Sequence, residues 1–384
     1  MITILRNCRI HAPEDLGKKD VLIADRRIAA VSASLPKASF PGVTEIDCQD
    51  KVVAPGFIDS HVHILGGGGS NGPITRGPEL MLTDFTTTGT TTVVGLLGAD
   101  GMTRDLMGLL AKARALELEG ISAYILLGAY DLPLPSFTGD VKRDIVLVPN
   151  ALGIGEVAIA DARSSQPTVQ EIIRIGADAC IAGRLAGRGG FVNIHIGPGK
   201  DGIQLLFDAV EQSDLPANTY LPTHCNRNAA VLDQMVKWAQ LGGPVDLTTI
   251  RIIPGFVPCP EAVKHLLAKG IPIERISMST DGGGVFPHLS GADGNPAMAK
   301  WETSALHREF VDITKAGVDL SSALKVVSTN PARHLRLYPK KGAIARGSDA
   351  DLVVLNEDLS IDKVFAMGTM MVESGKTIVK GVFE

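Results

Sequence analysis

The sequence predicts an α/β fold: a (β/α)8 TIM barrel carrying a small β-sandwich domain formed by both termini. Three observations predict it. Eight apolar runs recur at intervals of roughly 30 residues with amphipathic stretches between them. Period-2 segments are confined to the two chain ends. The 384 residues also exceed what one hydrophobic core normally holds.

Taken in chain order, segments 3–10, 18–33 and 43–48 alternate apolar and polar residues between Gly, Pro and charged punctuation, and segments 349–356, 361–375 and 376–383 return to the same style. Both ends therefore build one β unit, residues 1–53 plus 341–384, around a catalytic barrel spanning 54–340. The barrel strands are expected at 56–64, 90–98, 122–130, 155–160, 191–197, 220–225, 245–250 and 275–283. An open doubly wound sheet rarely needs so many parallel strands, so closure is the expectation.

Composition narrows the function classes. The chain is 45% hydrophobic and 21% charged with a net charge of −5, an ordinary globular balance that excludes disorder. No Lys/Arg cluster is interleaved with aromatics, which argues against a nucleic-acid partner. No run of 18 apolar residues and no leader-like start is found, so the expectation is a cytoplasmic protein without a membrane partner. The five cysteines (Cys8, Cys48, Cys180, Cys225, Cys259) are scattered and form no CxxC pair, which suits buried free thiols better than disulfides or a zinc knuckle.

The polar residues that carry chemistry fall at the C-terminal ends of the barrel strands, where barrel enzymes build their sites. Of nine histidines, His61, His63, His195 and His224 lie on these strands, while His11, His265, His288, His307 and His334 fall in loops or helices. His61 and His63 are two apart, so both side chains face one side of a strand, as two imidazoles on a divalent cation must. Asp59 precedes them, and the loop GGGGSNGP (66–73) follows, able to approach a ligand closely. His195 and His224 are one βα repeat apart and stand at similar height. Asp281 ends the eighth strand, beside the first in a closed barrel, where a carboxylate can ligate a cation and move protons. Glu156 interrupts an apolar strand, where an ionised group costs on the order of several kcal/mol unless it is paired or metal-bound. Each residue alone has an ordinary structural explanation, such as a core histidine bonded to a carbonyl, a turn aspartate or an outward glutamate.

With GFIDSHVH, His195, His224, STDGG, STNPARHL (328–335) and KGAIARGSDADLVVLN (341–356) in place, the chain resembles the amidohydrolase superfamily. Within it, HVHILGGGGSNGPITR (61–76), VVGLLGADG (93–101), LLGAY (126–130) and LPTHCNRN (221–228) are similar to the isoaspartyl dipeptidase family. The resemblance implies hydrolysis of an amide bond in a small carboxylate-bearing substrate, a cytoplasmic metalloprotease and a homo-oligomer as large as an octamer. It implies two divalent cations, with zinc the expected metal: one held by His61, His63 and Asp281, the other by His195 and His224. Asp281 also becomes the catalytic proton carrier, Tyr130 the group that polarises the scissile carbonyl, and Arg163 and Arg227 the groups that grip substrate carboxylates.

Four departures from that family stand out. Glu156 occupies the place of a bridging carboxylated lysine. After Gly68, Ser70 stands where the family has a glutamate that reads the substrate's amino group. Ala99 replaces a threonine and Val285 a serine. A neutral Ser70 cannot pair an ammonium as a carboxylate does, so altered amino-group recognition is expected unless Asp100 or Asp131 substitutes. A cyclic amide or imide hydrolase of the dihydroorotase or hydantoinase kind, or an N-acyl amino acid hydrolase, is the alternative on the same scaffold. A catalytically dead scaffold protein would be expected to have lost ligand residues, and the candidates here are all present.

Overall fold

Apolar residues in the terminal segments alternate in pairs that can meet only across a folded sheet. A computed structural model describes residues 1–38, 41–251, 253–288 and 297–384. The first strands are β1 (Ile2–His11), β2 (Asp15–Ala24), β3 (Arg27–Ser32), β4 (Val43–Asp47) and β5 (Val52–Pro55). The barrel strands follow: β6 (Phe57–Val62), β7 (Thr90–Gly95), β8 (Ser122–Leu127), β9 (Ala151–Ile159), β10 (Val192–Ile196), β11 (Tyr220–Thr223), β12 (Val245–Thr248) and β13 (Ile276–Ser279). A hairpin of β14 (Val285–His288) and β15 (Ala297–Lys300) leaves the barrel mouth, and β16 (Leu352–Leu355), β17 (Ile361–Ala366), β18 (Thr369–Glu373) and β19 (Lys376–Thr377) return to the terminal unit.

The two chain ends meet where β16 pairs antiparallel with β5, Leu352 opposite Pro55 and Leu355 opposite Val52. The result is one nine-stranded sheet in the order β19-β18-β17-β16-β5-β1-β2-β3, with β4 also on β1. It curls until β3 reaches the segment before β16, with Ile28 N–H donating to Ser348 O at 2.9 Å and Gly347 N–H to Ile28 O at 2.8 Å. Leu5, Ile10, Ile23, Ile28, Val354 and Phe365 fill the space so enclosed. The two layers expected of a sandwich are therefore parts of one continuous sheet. Among the expected terminal strands, 376–383 shortens to Lys376–Thr377. Beyond it the chain runs along the barrel's outer helices, where Val382 N–H donates to the Glu119 carboxylate. His11 and His288, expected in loops, lie on β1 and β14.

All eight expected barrel strands are present. Six of them form a parallel sheet from β6 to β11, and β12 pairs with β13. The circle closes through backbone hydrogen bonds at both seams. Cys225 N–H donates to Asp246 O at 3.1 Å, while Asp281 N–H donates to His61 O at 3.0 Å and His63 N–H to Gly282 O at 2.8 Å. Strands covered on both faces read as continuous apolar runs, because one face meets the helices and the other fills the barrel. On β10, Val192, Ile194 and Ile196 join the outer core while Asn193 and His195 alternate inward. Ile58, Val94, Leu126, Leu152, Phe191 and Leu221 pack together as the inner floor with Ala332 and Leu335. Those last two come from STNPARHL, which forms the short helix Thr329–His334. Its Asn330 donates to Ile273 O and Ile276 O, both at 2.8 Å, and so ties the helix to the start of β13. The apolar floor leaves the upper half of the cylinder for polar groups.

The helices carry local signals for their ends. In Val169–Ala186, Thr168 and Glu171 form a reciprocal capping box, the buried residues Ile172, Ile175, Gly176, Ala179, Ala182 and Gly183 recur at helical spacing, and Gly187 ends the helix at φ 68°. Between barrel and terminal sheet, Lys341 is buried with its ammonium 2.8 Å from Asp349 and bonded to Asp351 and Ser122. Burial opposes that charge, and the two aspartates outweigh it and hold its pKa above the usual lysine value. A buried ammonium without both carboxylates would be strongly destabilising.

Candidate metal centre

Six side chains from five strands converge at the C-terminal mouth. His61 lies on β6, Glu156 on β9 and His195 on β10, while His63, His224 and Asp281 stand one or two positions past β6, β11 and β13. His224 (φ 62°) and Asp281 (φ 54°) both adopt left-handed backbone, which non-glycine residues hold only at a cost of about 1–3 kcal/mol. That turn at each strand end directs both side chains to the centre.

Glu156 faces all four imidazoles. Its Oε2 lies 3.0 Å from His195 Nδ1, 3.4 Å from His61 Nε2 and 3.9 Å from His224 Nε2, and its Oε1 lies 3.6 Å from His63 Nε2. Asp281 covers the opposite side, with Oδ1 3.0 Å from His63 Nε2 and 3.7 Å from His61 Nε2, and Oδ2 3.8 Å from His224 Nε2. Among the described residues, three triads have donor atoms within 4.8 Å of one another: His61–His63–Glu156, His61–His224–Asp281 and Glu156–His195–His224. Each triad is buried.

The donor set fits divalent cations. His61 Nε2 and Asp281 Oδ1 are buried with no hydrogen-bond partner, an arrangement that costs about 1–3 kcal/mol per group unless something else satisfies it. His224 Nε2 and His195 Nδ1 lie 3.0 Å apart, two nitrogens that need a proton or a cation between them. Burial disfavours a charged His61, but Glu156 and Asp281 outweigh it and push the imidazole up to about 9, so the field at Nε2 strongly favours positive charge. Burial and the neighbouring His195 hold His224 well below its usual value, in the neutral form that ligates. Burial alone would raise Glu156, and the surrounding imidazoles instead hold it well below the usual carboxylate range.

Groups behind the candidate ligands orient them. Asn193 Oδ1 sits 3.1 Å from His61 Nδ1, and Thr248 Oγ1 sits 2.8 Å from His224 Nδ1, which leaves each Nε2 turned inward. Asp59 accepts from Thr280 N–H at 3.0 Å and from its hydroxyl, pinning the residue before Asp281 to β6. Gly98 is needed for space, since a Cβ there would stand 2.7 Å from His63 Cε1 and 3.3 Å from Glu156 Oε1.

The centre opens into a cleft of about 720 Å3, lined among others by Gly68, Ser70, Ala99, Tyr130, Arg163, Arg227 and Val285. Every residue expected to contact substrate thus borders one cavity with the cluster. The Tyr130 hydroxyl lies 2.8 Å from His195 Nδ1, and burial next to Glu156 pushes it well above its usual value, so it remains a proton donor at neutral pH. Arg163 stacks 5.1 Å from the Tyr130 ring and gives Nε and Nη2 to Asp161 at 3.0 and 2.8 Å. Asp161 also meets His195 Nε2 at 3.2 Å. Arg227 stacks 5.2 Å from Phe256, and its buried Nε has no partner. Gly68, at φ +82°, would place a Cβ 2.1 Å from Thr75 O, so only glycine fits.

Asp161, Asn193, Thr248 and Gly98 were not singled out from the sequence. Asn193 carried a usable signal, because it stands two residues before His195 on one strand. Thr248 ends a barrel strand, the position that marked the others. Asp161, in a loop, and Gly98, whose role is empty space, carried none.

Residues 257–372 match the family described as the amidohydrolase family. Over 98% of both chains, the fold superposes with a TM-score of 0.90 and 38% identity on the β-aspartyl dipeptidase of the thermophilic keratin degrader Fervidobacterium islandicum AW-1, solved in complex with the β-Asp-Leu dipeptide. A dihydropyrimidinase from Brevibacillus agri NCHU1002 shares the fold at a TM-score of 0.71 and 16% identity, over 99% of this chain and 97% of that one. In sequence, the L-hydantoinase of Paenarthrobacter aurescens is 23% identical over 94% of this chain and 86% of its own length. Adenine deaminase 1 of Carboxydothermus hydrogenoformans is 24% identical over 94% of this chain, which spans 56% of that relative.

Proposed function

The chain belongs to the amidohydrolase family, and from that premise we propose that it is a metal-dependent hydrolase cleaving an amide bond in a small carboxylate-bearing substrate, of the isoaspartyl dipeptidase type. The observation that carries the reading is the convergence of four imidazoles with Glu156 and Asp281 at the barrel mouth, beside a cleft bordered by Arg163 and Arg227. In this reading His61, His63 and Asp281 would hold one divalent cation and His195 and His224 a second, with Glu156, which faces all four imidazoles, available to both; zinc suits such nitrogen and oxygen donors. Bound there, the cations supply Lewis acidity and make water a competent nucleophile near neutral pH.

The chain's own residues do the rest. Asp281 accepts the proton of the attacking water on its carboxylate and delivers it to the leaving nitrogen, which needs a carboxylate within hydrogen-bond reach of both. Tyr130, kept protonated by burial, donates to the oxyanion as it forms. Arg227 and the free edge of Arg163 hold the substrate carboxylates, for which a planar guanidinium fork is suited. The protein is read as acting on small molecules in solution, as a homo-oligomer; among the described residues no helix is long and apolar enough to cross a membrane.

The likeness to the L-hydantoinase favours cyclic amides as a second reading. One experiment tests both. Protein stripped by a chelator is assayed, before and after zinc or manganese is restored, on β-aspartyl dipeptides, their N-acyl forms and cyclic ureides. Metal-dependent hydrolysis within the first two groups supports the main reading, hydrolysis confined to the third supports the second, and inertness on all three refutes both.

A further inference from the structure

Beyond the cation cluster, the cleft is short of free negative charge. Among its described lining residues the carboxylates are Asp100 and Asp281, and the guanidiniums are Arg104, Arg163 and Arg227. Asp281 faces His61 and His63. Asp100 is fully engaged: Oδ2 accepts from Arg76 Nη1 at 3.0 Å, from Arg104 Nη1 at 3.2 Å and from the Thr103 hydroxyl, and Oδ1 accepts from Thr103 N–H at 2.8 Å.

This cluster has its own task. Arg104 is buried and also donates from Nε to Leu65 O at 3.2 Å and from Nη2 to Gly77 O at 3.0 Å, so one guanidinium clasps both feet of the glycine loop. Arg76, on that loop, joins through Asp100. Four consecutive glycines would otherwise leave the loop loose. Asp100 thus serves the clasp, and two arginines around one aspartate leave that wall positive. Asp161 is likewise spent on Arg163 and His195. Asp131 is exposed and does not line the cleft. Arg227 adds a cation whose Nε has no partner, and Ser70, which also lines the cleft, is neutral.

A β-aspartyl dipeptide carries two carboxylates and one ammonium. The carboxylates find guanidiniums here, whereas the ammonium would meet positive charge with no carboxylate to pair it, a mismatch that discriminates strongly between ligands. We infer that this site selects dicarboxylate amides without a free amine, of the N-acylated β-aspartyl class. The inference rests on the reading of the site as an amide hydrolase. The reaction is plain hydrolysis: water adds to the β-carbonyl carbon, the C–N bond breaks, and the proton goes to the departing amine.

The test measures kcat/KM of the metal-replete, full-length protein for β-aspartyl-leucine and for N-acetyl-β-aspartyl-leucine. The acetylated compound is expected to win by about tenfold or more. In Ser70→Glu, which places a carboxylate on the glycine loop that lines the cleft, the ratio is expected to move toward the free amine by about 30-fold or more. A wild-type preference for the free amine overturns the inference and leaves the hydrolase reading standing. An unchanged ratio in folded, metal-replete Ser70→Glu overturns its electrostatic basis. Inertness of the wild type on both compounds refutes the dipeptidase-type reading of the site, and the inference falls with it.

Discussion

Replacing Asp281 by asparagine removes one charge and almost no volume, at the atom on which the proposed proton transfer depends. Asp281 Oδ1 is buried, accepts no hydrogen bond and stands 3.0 Å from His63 Nε2. No other described carboxylate can take over. Glu156 is enclosed by imidazoles, Asp161 is bonded to Arg163 and His195, and Asp100 belongs to the loop clasp. Positioned general acid–base groups contribute typically about 10^2- to 10^4-fold, and Asp281→Asn should lose kcat toward the upper end of that range because it has no substitute. The amide oxygen remains a donor, so part of the bound metal should persist. The assay is kcat at saturating substrate and excess metal, with metal content measured on the same samples. Turnover within threefold of wild type at equal metal occupancy would refute the assignment; turnover lost only in step with metal would reduce Asp281 to a ligand.

Three further outcomes follow from particular contacts. Gly98→Ala should lower metal affinity by tenfold or more, on the scale of lost ligand support, because its Cβ would collide with His63 and press on Glu156; equilibrium dialysis checks it, and wild-type affinity would contradict it. Lys341→Met should cost about 3–5 kcal/mol in denaturant unfolding, because it leaves the buried Asp351 with no cation and Asp349 with Arg27 alone, and a change under 1 kcal/mol would mean that Arg27 and the Met367 N–H satisfy the two carboxylates. His334 is pulled down to about 4 from 6.5 by burial, against a hydrogen bond to Glu274 O. The unfolded chain therefore binds its proton first as pH falls. The His334 contribution is complete above about pH 6.5 and is lost between there and about pH 4, roughly 3 kcal/mol in all. In His334→Gln the unfolding free energy should fall less steeply across that window, and equal slopes would count against a histidine held neutral in the fold.

The barrel was legible because strands covered on both faces must be continuously apolar, and eight such runs at regular spacing leave few architectures. Their limits were less legible. The fourth strand was expected from Gly155 and begins at Ala151, since the glycines that suggest a break are there for the neighbouring backbone: a Cβ at Gly153 would stand 2.4 Å from Phe191 O. His63, His224 and Asp281 were placed on strands and stand just past them, where the left-handed turns at His224 and Asp281 carry orientation that no residue pattern encodes. The candidate ligands were readable as residue types at strand ends. Their supports were readable only in part, because the use of Asp161 by Arg163 and of Asp100 by Arg104 depends on which loops touch. Asp100 was expected as a stand-in reader of a substrate amine, and in the fold its oxygens are already taken.

The most direct measurement is the number of divalent cations that remain with each folded chain after exhaustive dialysis, determined by elemental mass spectrometry for the wild type and for Glu156→Gln. The account predicts two for the wild type and fewer than one for the variant, because Glu156 faces all four imidazoles. A wild-type chain that binds none, or a variant that keeps two, would contradict it.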